Sequence, residues 1–260
     1  MDLGIAGRQA LIVGGSQGLG AACAERLAEA GCRLHLIARN ADALAERART
    51  LSSRHGVTVE TSAADLTDAA ARSELAKANR AADILVMSGG WPGVRNIAQH
   101  WTPADWQDAL NIMLMPQIDL VSRLYPGMAE RGFGRIVIIT SRLIKDPTLE
   151  LAMPAAARLG LTGYLKALSR EVIRQGVTVN SILPGVFGTD TQLAAIASAS
   201  KESGLTEAEI TAGRLHQTPA GRLGRPDELG GLCAYLCSIH AGFLTGQAVV
   251  MDGGAHTGIW

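Results

Sequence analysis

Seven short runs of β-branched and aliphatic residues alternate along the 260-residue chain with longer segments of helical period, and this rhythm limits the fold more than any other feature. The runs are Ala10–Gly14, Leu34–Arg39, Val57–Ala63, Ile84–Ser88, Arg135–Ser141, Thr178–Leu183 and Ala248–Met251. Between them lie Leu19–Ala30, Ala41–Arg54, Ala69–Lys77, Trp106–Met128 and Ala155–Gln175. The runs read as apolar throughout, the pattern of strands covered on both faces of a parallel sheet. Parallel neighbours need right-handed crossovers, so the expected architecture is α/β: one doubly wound domain over 1–260, a seven-stranded parallel sheet with helices on both faces. The one long departure, Phe187 to Leu223, falls between the sixth and seventh strands. It holds a helical stretch (Thr191–Lys201), a capping-box start at Thr206 with Glu209 three residues on, and a Pro/Gly/Arg-rich return. An insertion of that length (187–223) on a tight scaffold reads as a lid or substrate loop.

Composition removes several classes of function. The 24 basic residues are balanced by 24 acidic ones with no block of either sign, so the positive footprint that a phosphate backbone requires is missing and no nucleic-acid partner is expected. The longest apolar runs, Leu34–Ala38 and Ile136–Thr140, are strand-sized and do not span a bilayer. Met1 to Gly7 carries neither a basic leader nor an apolar stretch, which favours a cytoplasmic location. Cys233 and Cys237 can share a helix face, but neither Cys23, Cys32 nor any histidine pair completes a zinc site. No metal is expected, and the four cysteines read as buried thiols in a reducing compartment.

Directly after the first strand comes Val13-Gly14-Gly15-Ser16-Gln17-Gly18-Leu19-Gly20. Glycines at 14, 18 and 20 allow a sharp turn and close approach to a pyrophosphate, and the helix opening near Leu19 aims its free N–H groups at the anion. Glycine-rich turns are common, but a strand before and a helix after make this one a dinucleotide loop on a Rossmann-type domain. The second strand ends Ala38-Arg39-Asn40, where an acidic residue would have bonded a ribose 2′-hydroxyl. Arg39 instead suits a 2′-phosphate, with Ser16 and Asn40 as further donors, and predicts NADPH/NADP+ rather than NADH. A solvated arginine at a strand end is the competing reading.

With these residues in place the sequence resembles the short-chain dehydrogenase/reductase family over nearly its whole length. The family's TGxxxGxG loop appears with Val13 in the threonine place, and Asp65-Leu66 matches the pair that caps the adenine. Its NNAG motif is altered to Met87-Ser88-Gly89-Gly90. Asn111 stands for its helix-four asparagine and Ser141 for its catalytic serine. Pro184-Gly185-Val186 followed by Thr189 resembles the segment that holds the nicotinamide carboxamide, and Leu244 through Gly254 resembles the family's tail. The resemblance implies hydride transfer between a nicotinamide and a carbonyl, and a homo-oligomer, tetramer or dimer, built on Trp106–Met128 and Ala155–Gln175.

The active-site tyrosine and lysine are absent. Thirteen residues beyond Ser141, where the family's YxxxK begins, the chain reads Pro154-Ala155-Ala156-Ala157-Arg158. Tyr164 and Lys166 are two apart and point to opposite sides of a helix, and Tyr125 belongs to another helix, so neither tyrosine is a substitute. Pro154 suits the first residue of the following helix, where its missing N–H costs nothing. The departure, with Lys145-Asp146-Pro147 after the serine, resembles an atypical ketoacyl-reductase-like branch. It also resembles the ketoreductases that tailor aromatic polyketide antibiotics, the simocyclinone-type angucyclinone reductases in particular.

A positioned acid is worth about 10²–10⁴-fold. Arg158 cannot be that acid, since a guanidinium keeps its proton, but it can bond the nicotinamide ribose and place charge near a developing alkoxide. Three proton sources stay open: Lys145, which also reads as a solvated loop lysine; water organised by Asn111; and a phenolic hydroxyl beside the ketone of an aromatic substrate. The expected activity is reduction of a bulky, polycyclic aromatic ketone. A non-reductive dehydratase, isomerase or cyclase and a silent dinucleotide-binding module are the competing functions. Trp91 is a candidate for the pocket mouth, and Leu193, Ile196 and Leu205 suit either a flat apolar substrate or packing of the insertion. His216 within it reads as solvated surface.

Overall fold

The computed structural model describes residues 1–90 and 101–259. Strands β1 (Gln9–Val13), β2 (Arg33–Ala38), β3 (Val59–Ala63), β4 (Ile84–Ser88), β5 (Gly134–Ile139), β6 (Val177–Pro184) and β7 (Ala248–Met251) form one parallel sheet of order β3-β2-β1-β4-β5-β6-β7. The order turns between β1 and β4, so the crevice beyond the carboxyl ends of those strands is where such a sheet accepts a ligand.

Successive strand residues feed two cores. Ile12, Leu36, Val86, Val137 and Ile182 point to one face, under α1 (Gly18–Glu29), α2 (Ala41–His55) and α9 (Pro226–Cys237). Leu11, Ile37, Leu85, Ile136 and Val179 point to the other, under α3 (Ala69–Ala78), α5 (Met115–Glu130) and α6 (Ala152–Val172). Among the described residues no helix is long and apolar enough to cross a membrane.

Three expectations change. The run ending at Ala63 is not apolar throughout: β3 is an edge strand, Val-Glu-Thr-Ser-Ala, and largely faces water. The segment Trp106–Met128 is two helices, α4 (Pro103–Met113) and α5, because Pro116 has no N–H to donate to the Ile112 carbonyl and sits instead in the first turn of α5, where none is required; the break falls at Leu114. The chain entering α4 is set by a Thr102–Asp105 capping box, with Trp101 and Trp106 packed edge to face across it at 5.9 Å as a hydrophobic staple. Helix α9, absent from the periodicity reading, buries Leu229, Cys233, Ala234 and Cys237 against α1. All four cysteines are buried free thiols, and burial pushes the Cys32 thiol up to about 12.

The insertion contains α7 (Asp190–Ser203) and α8 (Glu207–Leu215), and its ends are pinned by a parallel bridge between Phe187 and Gly224. Its return is fastened to α9 by Glu228, which accepts from Arg222 at 2.9 and 2.7 Å and from the Arg225 amide at 2.8 Å. The Arg222 guanidinium above all holds the Glu228 carboxyl down to about 2. A carboxylate lowered on folding stabilises fully above its unfolded value and loses that contribution as pH falls toward the folded one. Glu228→Gln should therefore lower the urea midpoint at neutral pH and flatten its decline between the ordinary glutamate range and pH about 2.

Candidate active site

The carboxyl ends of β1, β4, β5 and β6 surround the crevice. Gly14, at φ +75°, donates its N–H to the Ile37 carbonyl at 2.8 Å. A side chain there would strike the Ser88 carbonyl at the end of β4, and one on Gly20 would strike the Gly14 carbonyl. The strand and loop approach this closely only because both positions lack a Cβ. Gln17 is the extended N-cap of α1 and supplies no side-chain cap, and the first turn carries no acidic residue. The leading N–H groups and the positive end of the dipole are left for an anion. Ser16, Gly18 and Leu19 are half-buried beside it, and Gly18 faces the Thr189 methyl.

On one flank Arg39 is exposed at the end of β2, and Asn40 caps α2 by accepting from the Ala43 amide at 3.0 Å. Asp65 accepts from the Thr67 amide and hydroxyl, both at 2.9 Å. Those bonds, with the Arg39 charge in support, hold its carboxyl below the usual range. Leu66 packs on the second core. At the end of β4, Ser88 leads into Gly89 and Gly90, both in positive-φ conformations. Gly90 backs onto the Ile112 carbonyl, the one that Pro116 cannot serve, where a Cβ would come to 2.9 Å. Gly185 and Val186 follow β6, and Thr189 caps α7 by accepting from Gln192.

On the other flank stands Ser141, extended two residues past β5 and half-buried. Its Oγ accepts from the Leu143 amide at 3.2 Å, which leaves the hydroxyl hydrogen to donate elsewhere. The 3-10 turn Arg142–Ile144 packs against α6. Lys145 closes that turn and is exposed. Arg158 lies on α6 one turn beyond Pro154, half-buried, and burial lowers its guanidinium to about 10, still a cation at neutral pH.

Pro154 is the third residue of α6 rather than its first, because a 3-10 turn at Leu149–Leu151 starts the helix early; it remains in the first turn, where no intrahelical N–H is required. Tyr164 Oη is within 2.7 Å of Ser122 Oγ, and Lys166 donates to the Gly246 carbonyl at 3.0 Å, so both are committed away from Ser141. Asn111 makes no hydrogen bond to Ser141 among the described residues. Ala109 and Met113 form the buried stripe of α4, which turns residue 111 outward, and its Oδ1 accepts from Gln107 Nε2 at 3.1 Å. In the insertion Ile196 is buried, Leu193 and Leu205 are exposed, and His216 is exposed at the end of α8. Trp91 lies outside the described residues.

One pair escaped the sequence reading. His256 Nδ1 is 2.8 Å from both carboxylate oxygens of Asp146 across 110 residues of chain, a separation at which no local spacing signals a contact.

The chain matches the family model described as enoyl-(acyl carrier protein) reductase over residues 13–256. It is 34% identical to the acetoacetyl-CoA reductase of Rhizobium meliloti over 254 residues, 96% of this chain and 98% of that protein. Among solved structures, L-sorbose reductase from Gluconobacter frateurii, complexed with NADPH and L-sorbose, superposes with a TM-score of 0.94 at 30% identity over the whole of both chains. An actinorhodin polyketide ketoreductase variant with NADPH superposes at 0.87 and 28% identity, covering 97% of this chain and 98% of that one. With its single seven-stranded Rossmann-like domain and this match from end to end, the chain belongs to the short-chain dehydrogenase/reductase family.

Proposed function

We propose that the protein is an NADPH-dependent ketoreductase that reduces a carbonyl of a bulky, polycyclic aromatic polyketide to a secondary alcohol without a catalytic tyrosine. The observation that carries this reading is an α1 N-terminus with no acidic residue in its first turn and no side-chain cap, in the same crevice as a serine whose hydroxyl hydrogen has no acceptor among the described residues; Pro154 stands where the family resemblance implies a phenol.

The residues present fit the dinucleotide. The pyrophosphate suits the Gly14–Gly20 loop with Ser16, Gln17 and Leu19; the 2′-phosphate suits Arg39 and Asn40; the adenine suits Asp65 and Leu66. Ser88, Gly89, Gly90, Arg158, Gly185, Val186 and Thr189 are the candidates for the nicotinamide half. When bound, the reduced nicotinamide supplies the hydride. Ser141 donates a hydrogen bond to the substrate oxygen and keeps its proton, and Arg158 adds positive charge where an alkoxide develops. Lys145 is exposed and Asn111 faces solvent, which favours a proton carried by the substrate, from a hydroxyl beside the ketone. The pinned insertion 187–223 serves as the lid, and the exposed Leu193 and Leu205 suit a flat apolar ligand. Exposed Met115 and Leu159 on α5 and α6 support a tetramer or dimer built through those helices.

Nicotinamide absorbance followed with polycyclic hydroxyketones and with acetoacetyl-CoA tests the substrate class: turnover of the aromatic ketones is expected, and turnover of the thioester alone overturns it. Arg39→Ala should weaken NADPH binding by about 2 kcal/mol, roughly 30-fold, while leaving NADH affinity nearly unchanged, since only the 2′-phosphate loses a partner. Parallel fluorescence titrations measure both.

A further inference from the structure

We propose that His256 is a positioning residue for Ser141: through Asp146 it fixes the turn that carries the serine, and in doing so straps the C-terminal tail across the carboxyl ends of β5 and β6.

The wiring is continuous. At one end, Asp146 donates its N–H to the Arg142 carbonyl at 3.2 Å, Lys145 donates to the same oxygen at 2.8 Å, Ile144 donates to the Ser141 carbonyl at 3.3 Å, and Leu143 donates to Ser141 Oγ. A displacement of Asp146 is thus transmitted within five residues to the serine hydroxyl. At the other end, Met251 pairs with Pro184, and the tail then turns on Asp252, which accepts from the Gly254 amide at 3.0 Å and the His256 amide at 2.7 Å. Asp252 lies directly against Gly185, where a Cβ would sit 2.7 Å from its own. The Ala220 amide donates to the Gly253 carbonyl at 3.0 Å, which ties the return of the insertion to the same tail.

β6 lies between β5 and β7 in the sheet. A bond from the chain after β7 to the loop after β5 therefore passes over the end of β6, beside Gly185 and Val186. The joint itself is Nδ1–H of His256 donating to the Asp146 carboxylate, with Arg142 3.6 Å from the same group. The ring is mostly buried, and Gly258 packs on its Cε1 and Nε2 edge. Nδ1 must carry the proton to donate, so the carboxylate fixes the tautomer and the ring plane together.

The test uses the full chain with NADPH. In His256→Ala, amide hydrogen exchange should rise together in 141–146 and 252–258, with affinity for NADPH within about twofold of the parent. Turnover of any accepted ketone should fall about 10- to 100-fold in kcat, as expected when a catalytic donor is loosened. His256→Asn, whose side-chain amide can donate from near the Nδ1 position, should recover most of both losses and also serves as the variant that folds if the alanine one does not. Faster exchange confined to 252–258 overturns the proposal, as does a loss of turnover that asparagine fails to restore. The proposal rests on the ketoreductase reading only for its kinetic arm: if no ketone is reduced, that reading fails while the coupled exchange still decides the strap.

Discussion

Gly14→Ala should abolish measurable NADPH retention, with a loss of affinity above about 100-fold. Two costs combine. An L-residue held at φ +75° carries roughly 1–2 kcal/mol of strain. The added methyl also meets a backbone carbonyl, Ser88 at the end of β4, rather than a side chain that could swing aside. Relief requires the loop to lift off β4, which re-aims the N–H groups at the start of α1 and parts Gly14 from the Ile37 carbonyl. Misplaced donors in a binding site cost far more than their strain. Gly56→Ala is the control: Gly56 has φ +68° at the C-cap of α2, with nothing within 4 Å of its would-be Cβ. It should lose stability of about 1 kcal/mol and bind NADPH normally. Fluorescence titration and thermal unfolding of the two variants separate strain from site geometry, and near-parental affinity in Gly14→Ala would show that the loop is not the cradle.

The parallel sheet was legible because five of the seven strands are hydrophobic on both faces, and the glycine loop because its residues are contiguous. What was lost follows from the same physics. β3 sits at an edge, so nothing compels it to be apolar throughout, and its strand character rests on pairing with β2 alone. Helix α9 is punctuated by Gly230 and Gly231 and follows a proline-rich return, which hides its period, although Pro226 at its start is a recognised signal. Asn111 was assigned by its place in a motif, yet the phase of α4, read from Ala109 and Met113, already turns that side chain outward. The Asp146–His256 pair had no signal at all, because a contact across the end of β6 exists only once β5, β6 and β7 are side by side. Lys145-Asp146-Pro147 drew notice for its lysine, which is exposed, and not for the aspartate that the tail grips.

Paired ketones that differ only in a hydroxyl beside the reacting carbonyl should differ in turnover by about 10²–10⁴-fold, the range a positioned acid supplies. On the proposed reading the substrate oxygen would receive a hydrogen bond from Ser141 and charge from Arg158, and neither is a proton source. A serine that gives up its hydroxyl proton must be reprotonated, and its hydroxyl is a far weaker acid than a phenol; the guanidinium, at about 10, holds its proton at neutral pH. An ortho hydroxyl on an aromatic ketone is different. It is already bonded to the carbonyl oxygen, and as that oxygen becomes an alkoxide its basicity rises far above that of the phenoxide, so the proton crosses without any protein group moving. Ser141→Ala should slow both ketones of a pair by a similar factor, about 10²–10³, since it removes oxyanion stabilisation common to both. The ratio within the pair should therefore survive the mutation. Equal rates for the two ketones in the parent enzyme would sink the substrate-borne proton. A ratio that collapses in Ser141→Ala would instead assign the serine to the hydroxyl rather than to the carbonyl.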